Sequence, residues 1–454
     1  MFKFIKIKNQ IIIIIFTLLG IILRSIYNFD LIYWGDETFT LYISDPNISL
    51  KEFINRHKDI DDNPIIYFFI IRLLNFFTYS AEMVRLSSIL FGILTIPISY
   101  IFFKNFFKDN ALIFATFLIT FNIFLIWQST EARIASSLVF FCLINLIFFF
   151  HFLKNINKKN LFILFLVNLF SLSYYPFFLT LIITQLIFIF LYKKKIFNMF
   201  VISIFLTILI YLIINYDYIL LKVGKISHIG ILEVKFFFNF FFRSFFGSII
   251  FGGVNLIIVI LSLLLIKKKN LFLKFNALLI VTTYIFLIIY SILKSGVIVP
   301  RYFIFLIPSI IVFITNFFDQ KKFLKYRNIY LFLAIINTIV LLKQYNIQRP
   351  SINYLINNLD TRITKNYFVD EGKLYENYFK NSKYLNTQLN FVRKDNIYNY
   401  DKLFFICLNH PRMHVGNNKS IQNNDKCSFK DKKFKIIRET YIEDFKITLI
   451  QNLK

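Results

Sequence analysis

Long apolar runs punctuate the first three quarters of the chain, at about residues 11–29, 64–79, 84–103, 111–128, 134–150, 161–174, 176–192, 197–217, 247–266, 271–293, 302–318 and 327–343. They are apolar on every face. A membrane strand would be shorter and would alternate polar with apolar positions. A helix rises about 1.5 Å per residue and needs about 20 apolar residues to cross a bilayer core. The runs therefore predict helices, most of them membrane spans. Beyond about residue 344 the pattern breaks. The tail is polar, rich in Asn and Lys, with two short apolar segments at 366–368 and 403–408. Lys402–Leu408 predicts a buried strand and Tyr375–Leu385 a helix. The expected division is a membrane domain over 1–345 and a small mixed α/β domain outside the membrane over 346–454.

Composition agrees. Hydrophobic residues make up 57% of the chain, aromatics 20% and charged residues only 17%. A soluble globule carries about a quarter of its residues as charges, and a disordered chain is poor in aromatics. The class is an all-α polytopic membrane protein. Its net charge of +27 would suggest nucleic acid in a soluble protein. Here the basic residues sit in short clusters between runs, such as Lys193–Lys195 and Lys267–Lys269, as expected for anchoring against the anionic cytoplasmic leaflet. The expected contacts are membrane lipids, with no nucleic acid.

The basic start before the first run reads as an uncleaved anchor with a cytoplasmic N-terminus. With the clusters at 104–108, 151–159, 193–195, 267–274 and 321–327 also cytoplasmic, every run from 84 onward alternates consistently and the tail lands outside. Only the run at 64–79 breaks the count. It starts at Asn63-Pro64, spans about 16 residues and contains Arg72, so it reads as a juxtamembrane or re-entrant helix returning to the outer side. The expectation is about eleven spans plus this helix in the cytoplasmic (inner) membrane. The first outer loop covers 30–83, and the C-terminal domain is periplasmic or extracellular. Cys407 and Cys427, outside the apolar runs, would then lie in an oxidising compartment in a Gram-negative-type cell, which predicts a disulfide between them. Closing a loop of about 20 residues would stabilise the tail by about 3 kcal/mol on the chain-entropy account.

This topology gathers four polar groups at the outer face: Asp36-Glu37, Asp61-Asp62-Asn63, Glu131 with Arg133, and the stretch from Lys294 to Tyr302. Polar groups at membrane depth normally face a cavity or one another. An acidic pair directly after the first span is not needed for anchoring. Gly35 before it permits an unusual backbone angle. The bland reading is a solvated loop in which Asp36 caps a helix over Glu37–Tyr42. Arg85 reads as an anchor near the outer headgroups, Tyr174-Tyr175-Pro176 as an aromatic belt with a helix break, and His57 as an ordinary loop residue. The stretch 218–246 reads as an amphipathic segment at a substrate entrance.

In order along the chain, these motifs resemble the membrane glycosyltransferases of the protein mannosyltransferase and aminoarabinose transferase type, which have the GT-C fold. Gly35-Asp36-Glu37 matches the family's acidic pair after the first helix. Asp61-Asp62-Asn63-Pro64-Ile65-Ile66-Tyr67 is similar to its Asp-x-His-Pro-Pro-x-Tyr stretch, with Asn63 in place of His and Ile65 in place of the second Pro. Arg85-Leu86-Ser87-Ser88-Ile89-Leu90-Phe91-Gly92 and Gln128-Ser129-Thr130-Glu131-Ala132-Arg133 resemble two further motifs, the second lacking its usual tyrosine at Ala135. Arg301-Tyr302 completes the set. The resemblance covers about residues 1–345 and implies a polyprenyl-phosphate sugar as donor, with inverting transfer to a lipid, glycan or protein hydroxyl during cell envelope biogenesis. It implies Asp36 as catalytic base with Glu37 beside it. Arg133, Arg301 and, more weakly, Lys294 would meet the donor phosphate, with Asp61, Asn63, Glu131 and Tyr302 supporting. A divalent metal ion held by Asp36 and Glu131 is a further expectation, which no ligand spacing compels. The competing readings are a secondary transporter, a polysaccharide polymerase or ligase, and a non-catalytic membrane component of envelope polysaccharide assembly.

Overall fold

Each apolar run becomes helix. The computed structural model describes residues 2–25, 31–61, 63–216, 219, 245–266, 270–293, 300–347, 352–369, 373–408, 429, 431–442 and 445–453. Helix α1 is Phe2–Ser25, followed by α2 (Gly35–Ile43), α3 (Leu50–Ile60), α4 (Ile65–Asn75) and α5 (Ala81–Lys104). Then come α6 (Asp109–Thr120), α7 (Ile123–Ser129), α8 (Ala135–Lys154), α9 (Lys158–Tyr174), α10 (Leu179–Tyr192) and α11 (Phe197–Ile214). Helices α12 (Ile249–Leu264), α13 (Leu271–Leu293), α14 (Ile307–Phe318) and α15 (Arg327–Ile347) follow. Polar caps set the starts of several of them. Ser80 Oγ accepts from Met83 N at 3.3 Å, Asn157 Oδ1 from Asn160 N at 2.8 Å, and Ser248 Oγ from Phe251 N at 3.2 Å. Each side chain satisfies an amide that would otherwise lack an acceptor.

Among the described residues, six helices are long and apolar enough to cross a membrane, or seven if α6 and α7, bent by 47°, form one broken span. The sequence pattern predicts about eleven spans. The difference lies in length rather than in helix formation. Helix α9 has 17 residues and α12 has 16, about 25 Å each against a core of about 30 Å. Pro176 and Ser248 begin new helical segments inside or beside their runs and shorten them.

The run at 64–79 does not traverse the bundle. Helix α4 has 11 residues. Its Arg72 donates to the carbonyls of Pro46 and Ile48, and Asn75 Nδ2 donates to Ser44 O at 3.2 Å. Its C-terminal end is therefore tied to the loop after α2, and α5 begins at the same end, where Tyr33 OH donates to Ala81 O. The basic helix ends gather elsewhere. Lys154 Nζ donates to Asn105 Oδ1 at 2.8 Å, and Lys274 lies 5.0 Å above the Tyr192 ring. The first contact joins the ends of α5 and α8, the second the end of α10 to the start of α13, and Phe106 stacked on Phe272 brings the two pairs together at the far end of α5 from Arg85.

The interior is held by packed Phe and Ile with a few closed polar sets. Asn145, Asn168 and Gln185, on α8, α9 and α10, form a ring of amides at 2.8, 3.1 and 2.6 Å, and Asn145 also donates to Ser171 Oγ at 3.0 Å. All three amides are fully buried. At the break between α6 and α7, the buried Arg24 of α1 donates to Thr120 O at 3.4 Å. A guanidinium there faces the negative end of α6.

After α16 (Ile352–Asn358), strands β1 (Asn366–Val369), β2 (Asn390–Phe391), β3 (Lys402–Leu408), β4 (Phe434–Ile442) and β5 (Phe445–Asn452) form one mixed sheet in the order β2-β1-β3-β5-β4. Strand β1 runs parallel to β2 and β3, and β5 is antiparallel to β3 and β4. The C-terminal region is thus β-rich, with the strand expected at 402–408 in its middle. The helix expected over Tyr375–Leu385 is broken into α17 (Lys373–Asn381) and α18 (Lys383–Asn386), because Ser382 caps a new start and accepts from Leu385 N at 3.4 Å. Cys407 is disulfide-bonded and Cys142 is free; Cys427 lies outside the described residues. Helix α17 packs on α2. Glu82, in the first turn of α5, accepts from Ser382 Oγ, Lys383 N and Tyr384 N at 3.0, 3.2 and 3.0 Å.

Replacing one member of the amide ring leaves its neighbours' polar atoms buried without acceptors or donors. Gln185→Leu is expected to lower stability by about 1–2 kcal/mol, read as a fall in the thermal unfolding midpoint of the purified protein.

Candidate active site

Glu37 is buried, and five hydrogen bonds converge on its carboxylate. Arg85 Nε and an Arg85 terminal nitrogen lie 3.2 and 3.1 Å from Oε1, and the same terminal nitrogen lies 3.1 Å from Oε2. Trp34 N donates to Oε2 at 3.0 Å and Ala132 N to Oε1 at 2.7 Å. The bond from Trp34 N closes the first turn of α2. The bond from Ala132 N ties that turn to the segment between α7 and α8. Arg85 also donates to Leu31 O at 2.7 Å. Its side chain is 3% exposed, so the sequence reading of a headgroup anchor is corrected: its charge is neutralised inside the protein. Gly35 is the first residue of α2 and does not use its conformational freedom; Gly247 is the glycine with a positive φ among the described residues.

Fixing Glu37 leaves Asp36, one residue earlier, facing the opposite partner. Its Oδ2 lies 2.9 Å from an Arg301 terminal nitrogen, and both side chains are about one-third exposed, at 34% and 32%. Arg301 comes from the seven-residue 3₁₀ segment Pro300–Leu306 that leads into α14. Arg133 donates to the Asp36 main-chain carbonyl at 3.0 Å and to Asp61 Oδ2 at 2.7 Å. Asp61 Oδ1 accepts from Asn63 N at 2.8 Å and Asn63 Nδ2 at 2.6 Å. His57 Nε2 lies 2.6 Å from Asn63 O, so Nε2 carries the proton. His57 is 2% exposed, a buried brace for the Asp61–Asn63 turn rather than an ordinary loop residue. Ser88 Oγ donates to Arg133 O at 3.2 Å and fixes the segment from behind.

The structure therefore brings Asp36, Glu37, Asp61, Asn63, Arg133 and Arg301 into one constellation. Glu131 is half-buried and close enough to act on the charge of Arg301. Tyr302 lies beside Arg301, whose guanidinium is 5.7 Å from its ring centroid, and joins an aromatic group with Tyr175 and Phe177 at centroid distances of 6.4 and 6.0 Å. Lys294, Asp62 and most of the stretch 218–246 lie outside the described residues. The additional members, Arg85 and His57, could not be assigned partners from sequence, because each bonds groups defined only by the fold.

The charges pair one to one. Burial alone would push the Asp36 carboxyl up, but Arg133 and Arg301 outweigh it and hold it below the usual carboxylate range. Burial of Asp61 is likewise outweighed by Arg133 and the two bonds from Asn63. This pairing bears on the metal expectation. Among the described residues, no three His, Cys, Asp or Glu side chains gather as ligands. Asp36, Glu37 and Asp61 each already face a guanidinium, so the residues do not fit a metal cage built on Asp36 and Glu131.

No family model matches the sequence, and no curated protein matches it in sequence. Solved structures do match in fold. ArnT from Cupriavidus metallidurans bound to undecaprenyl phosphate aligns over 96% of this chain and 97% of its own, with a TM-score of 0.56 at 10% identity. The apo state of the same protein gives 0.55 over the same shares, also at 10% identity. The Archaeoglobus fulgidus oligosaccharyltransferase, tethered to an acceptor peptide containing the NVT sequon, gives 0.50 at 11% identity over 82% of this chain and 63% of its own. The fold is GT-C-like. In this GT-C-like chain the acidic helix α2, the α7–α8 segment and the Arg301 segment meet at one end of the helical bundle, opposite the basic helix ends.

Two outcomes follow from the pairing. Glu37→Gln leaves Arg85 buried without a counter-charge and is expected to destabilise the protein by about 3–5 kcal/mol, seen as loss of monodisperse protein on extraction. Asp61 has a lowered folded-state pKa, so its contribution is complete above the unfolded carboxylate value of about 3.9 and is lost as pH falls through the folded value. The stability gap between wild type and Asp61→Asn should therefore be constant from about pH 7 to 5 and close below about pH 4, as measured by thermal unfolding across that range.

Proposed function

We propose that the protein is an inverting GT-C glycosyltransferase that moves a sugar from a polyprenyl-phosphate donor to a hydroxyl of a lipid, polysaccharide or protein acceptor, at the outer face of the cytoplasmic membrane. The observation that carries this reading is the one-third-exposed Asp36–Arg301 pair, backed by Arg133. It offers a partly exposed carboxylate with two guanidiniums beside it at the end of a helical bundle. Inverting transfer needs a base for the acceptor proton and a cation for the leaving phosphate.

In this reading the acceptor oxygen forms a bond to the anomeric carbon while the bond from that carbon to the phosphate oxygen breaks. The acceptor proton passes to Asp36. The negative charge on the departing polyprenyl phosphate is met by Arg301 and Arg133, with Lys294 a further candidate; a planar guanidinium matches such an anion. Arg301 serves both roles in turn. An incoming donor phosphate competes with Asp36 for it, and drawing Arg301 away removes one of the two cations that depress the Asp36 carboxyl. Its basicity then rises only when donor is bound. Glu37 has no free edge for substrate and is assigned the role of orienting Asp36.

The proposed placement has the N-terminus in the cytoplasm, α2–α4 and the C-terminal domain outside, and about eleven crossings. It is supported by the clustering of basic helix ends away from Asp36. Charged groups at one end, rather than at the midplane, weigh against a secondary transporter.

Purified protein supplied with a polyprenyl-phosphate sugar should transfer it, and Asp36→Asn should lower turnover by roughly 10²–10⁴-fold without loss of folding. The acid limb of kcat/KM, which reports free enzyme, should lie below the limb of kcat, which reports the donor complex. Coincident limbs would show that Arg301 does not move from Asp36 to the phosphate. Cysteines introduced at the exposed Asn47 and Asn396 should react with an impermeant thiol reagent in intact cells, and cysteine at Asn270 only after permeabilisation. Labelling of position 270 from outside would invert the topology.

A further inference from the structure

The C-terminal sheet is tied to the candidate site by a specific stack. Tyr378 of α17 lies flat on Tyr33, with ring centroids 4.6 Å apart and an 18° interplanar angle. The guanidinium of Arg85 sits 4.5 Å from the Tyr33 ring centroid, and the same guanidinium grips Glu37. Glu37 in turn holds Trp34 N and Ala132 N, next to Asp36 and Arg133. Tyr378 and Tyr33 are each 2% exposed. Two further bonds pin the same helix pair: Asn377 Nδ2 donates to Tyr79 OH at 3.1 Å, and Tyr79 OH donates to Leu41 O at 3.0 Å. The Glu82 contacts fix α18 just beyond.

From this chain of contacts we infer that the C-terminal domain forms the back wall of the site, with Tyr378 as a positioning residue acting on Asp36 through Tyr33, Arg85 and Glu37. Stacked aromatics under a guanidinium fix its plane, because both the ring offset and the cation–π geometry are directional. Arg85 can grip both oxygens of Glu37 only in that plane. Removing the Tyr378 ring lets the Arg85 fork tilt, the first turn of α2 shift and Asp36 lose its alignment. Misplacement on the order of 1 Å is enough to slow a positioned reaction by about 10²-fold. The inference rests on the reading of Asp36 as the base, and adds that the outer domain acts in catalysis rather than only in recognition.

The test uses the full chain in a Trp127→Phe background, which leaves Trp34, at the N-terminus of α2, as the only tryptophan. Tyr378→Ala is expected to increase acrylamide quenching of Trp34 and to lower kcat for sugar transfer by roughly 10–100-fold, with donor KM nearly unchanged. Tyr378→Phe keeps the ring and is expected to restore both. Should the alanine variant not fold, Tyr378→Leu keeps apolar volume without a π face, and the same two readings apply. Wild-type quenching together with wild-type kcat in a folded Ala or Leu variant would overturn the proposal. So would a phenylalanine variant as impaired as alanine, since the hydroxyl and not the stack would then matter. The quenching measurement needs no substrate, so a failure of the whole protein to transfer sugar would count against the proposed activity and leave the positioning result readable.

Discussion

The buried pair between Glu37 and Arg85 is the constraint on which the site depends. Its cost is high, since each ion loses its hydration and must regain it from fixed partners. Here the partners are structural elements themselves: the first turn of α2, the chain before it at Leu31, and the α7–α8 segment at Ala132. Satisfying one carboxylate therefore brings three separate stretches into register. Asp36, next in the chain, stays partly exposed, with a bond to Arg301 instead of an internal partner. One acidic residue of the pair is consumed by the fold, and that leaves the other available.

Much of the architecture was readable because a lipid-facing helix has a single dominant requirement. Every described apolar run folded as helix, and the strand at Lys402–Leu408 stood out as an apolar island in a polar tail. Helix lengths were less readable. A run is measured by composition, but Ser248 and Pro176 break it by capping and by loss of a donor, and these local effects shorten a helix without changing its hydropathy. Helix α2 is legible as the short helix over Glu37–Tyr42 and begins two residues earlier, at Gly35. Helix α3 is hidden because it is short and charged; Phe53 and His57, one turn apart, form its buried face and pack on Phe69 and Phe68 of α4.

The candidate site was legible as a list and not as a geometry. Topology could place Asp36, Asp61, Arg133 and Arg301 on one face, and the resemblance to a family supplied their order. Pairings were another matter. Arg85 lies 48 residues from Glu37 and looked like an interfacial anchor, because an arginine near a helix start reads the same whether its head reaches water or a carboxylate. His57 reads as a loop residue from sequence, yet its ring nitrogen donates to Asn63 O and closes the turn that presents Asp61. The link from Tyr378 to Tyr33 joins the two ends of the chain, and no local pattern encodes it.

The broken helix pair α6–α7 carries a consequence for how the molecule is made. Arg24 ends the first helix, yet its acceptor at Thr120 belongs to the end of α6, 96 residues later. A ribosome delivers α1 to the membrane well before that carbonyl exists. During this interval the guanidinium has only the carbonyls of its own last turn, with Gly20 O at 3.5 Å, and an arginine held within hydrocarbon costs at least about 2.5–3.5 kcal/mol. Its second acceptor comes only when α6 arrives and presents Thr120. The first segment synthesised is therefore completed only after four further helices, α2 to α5, have followed it.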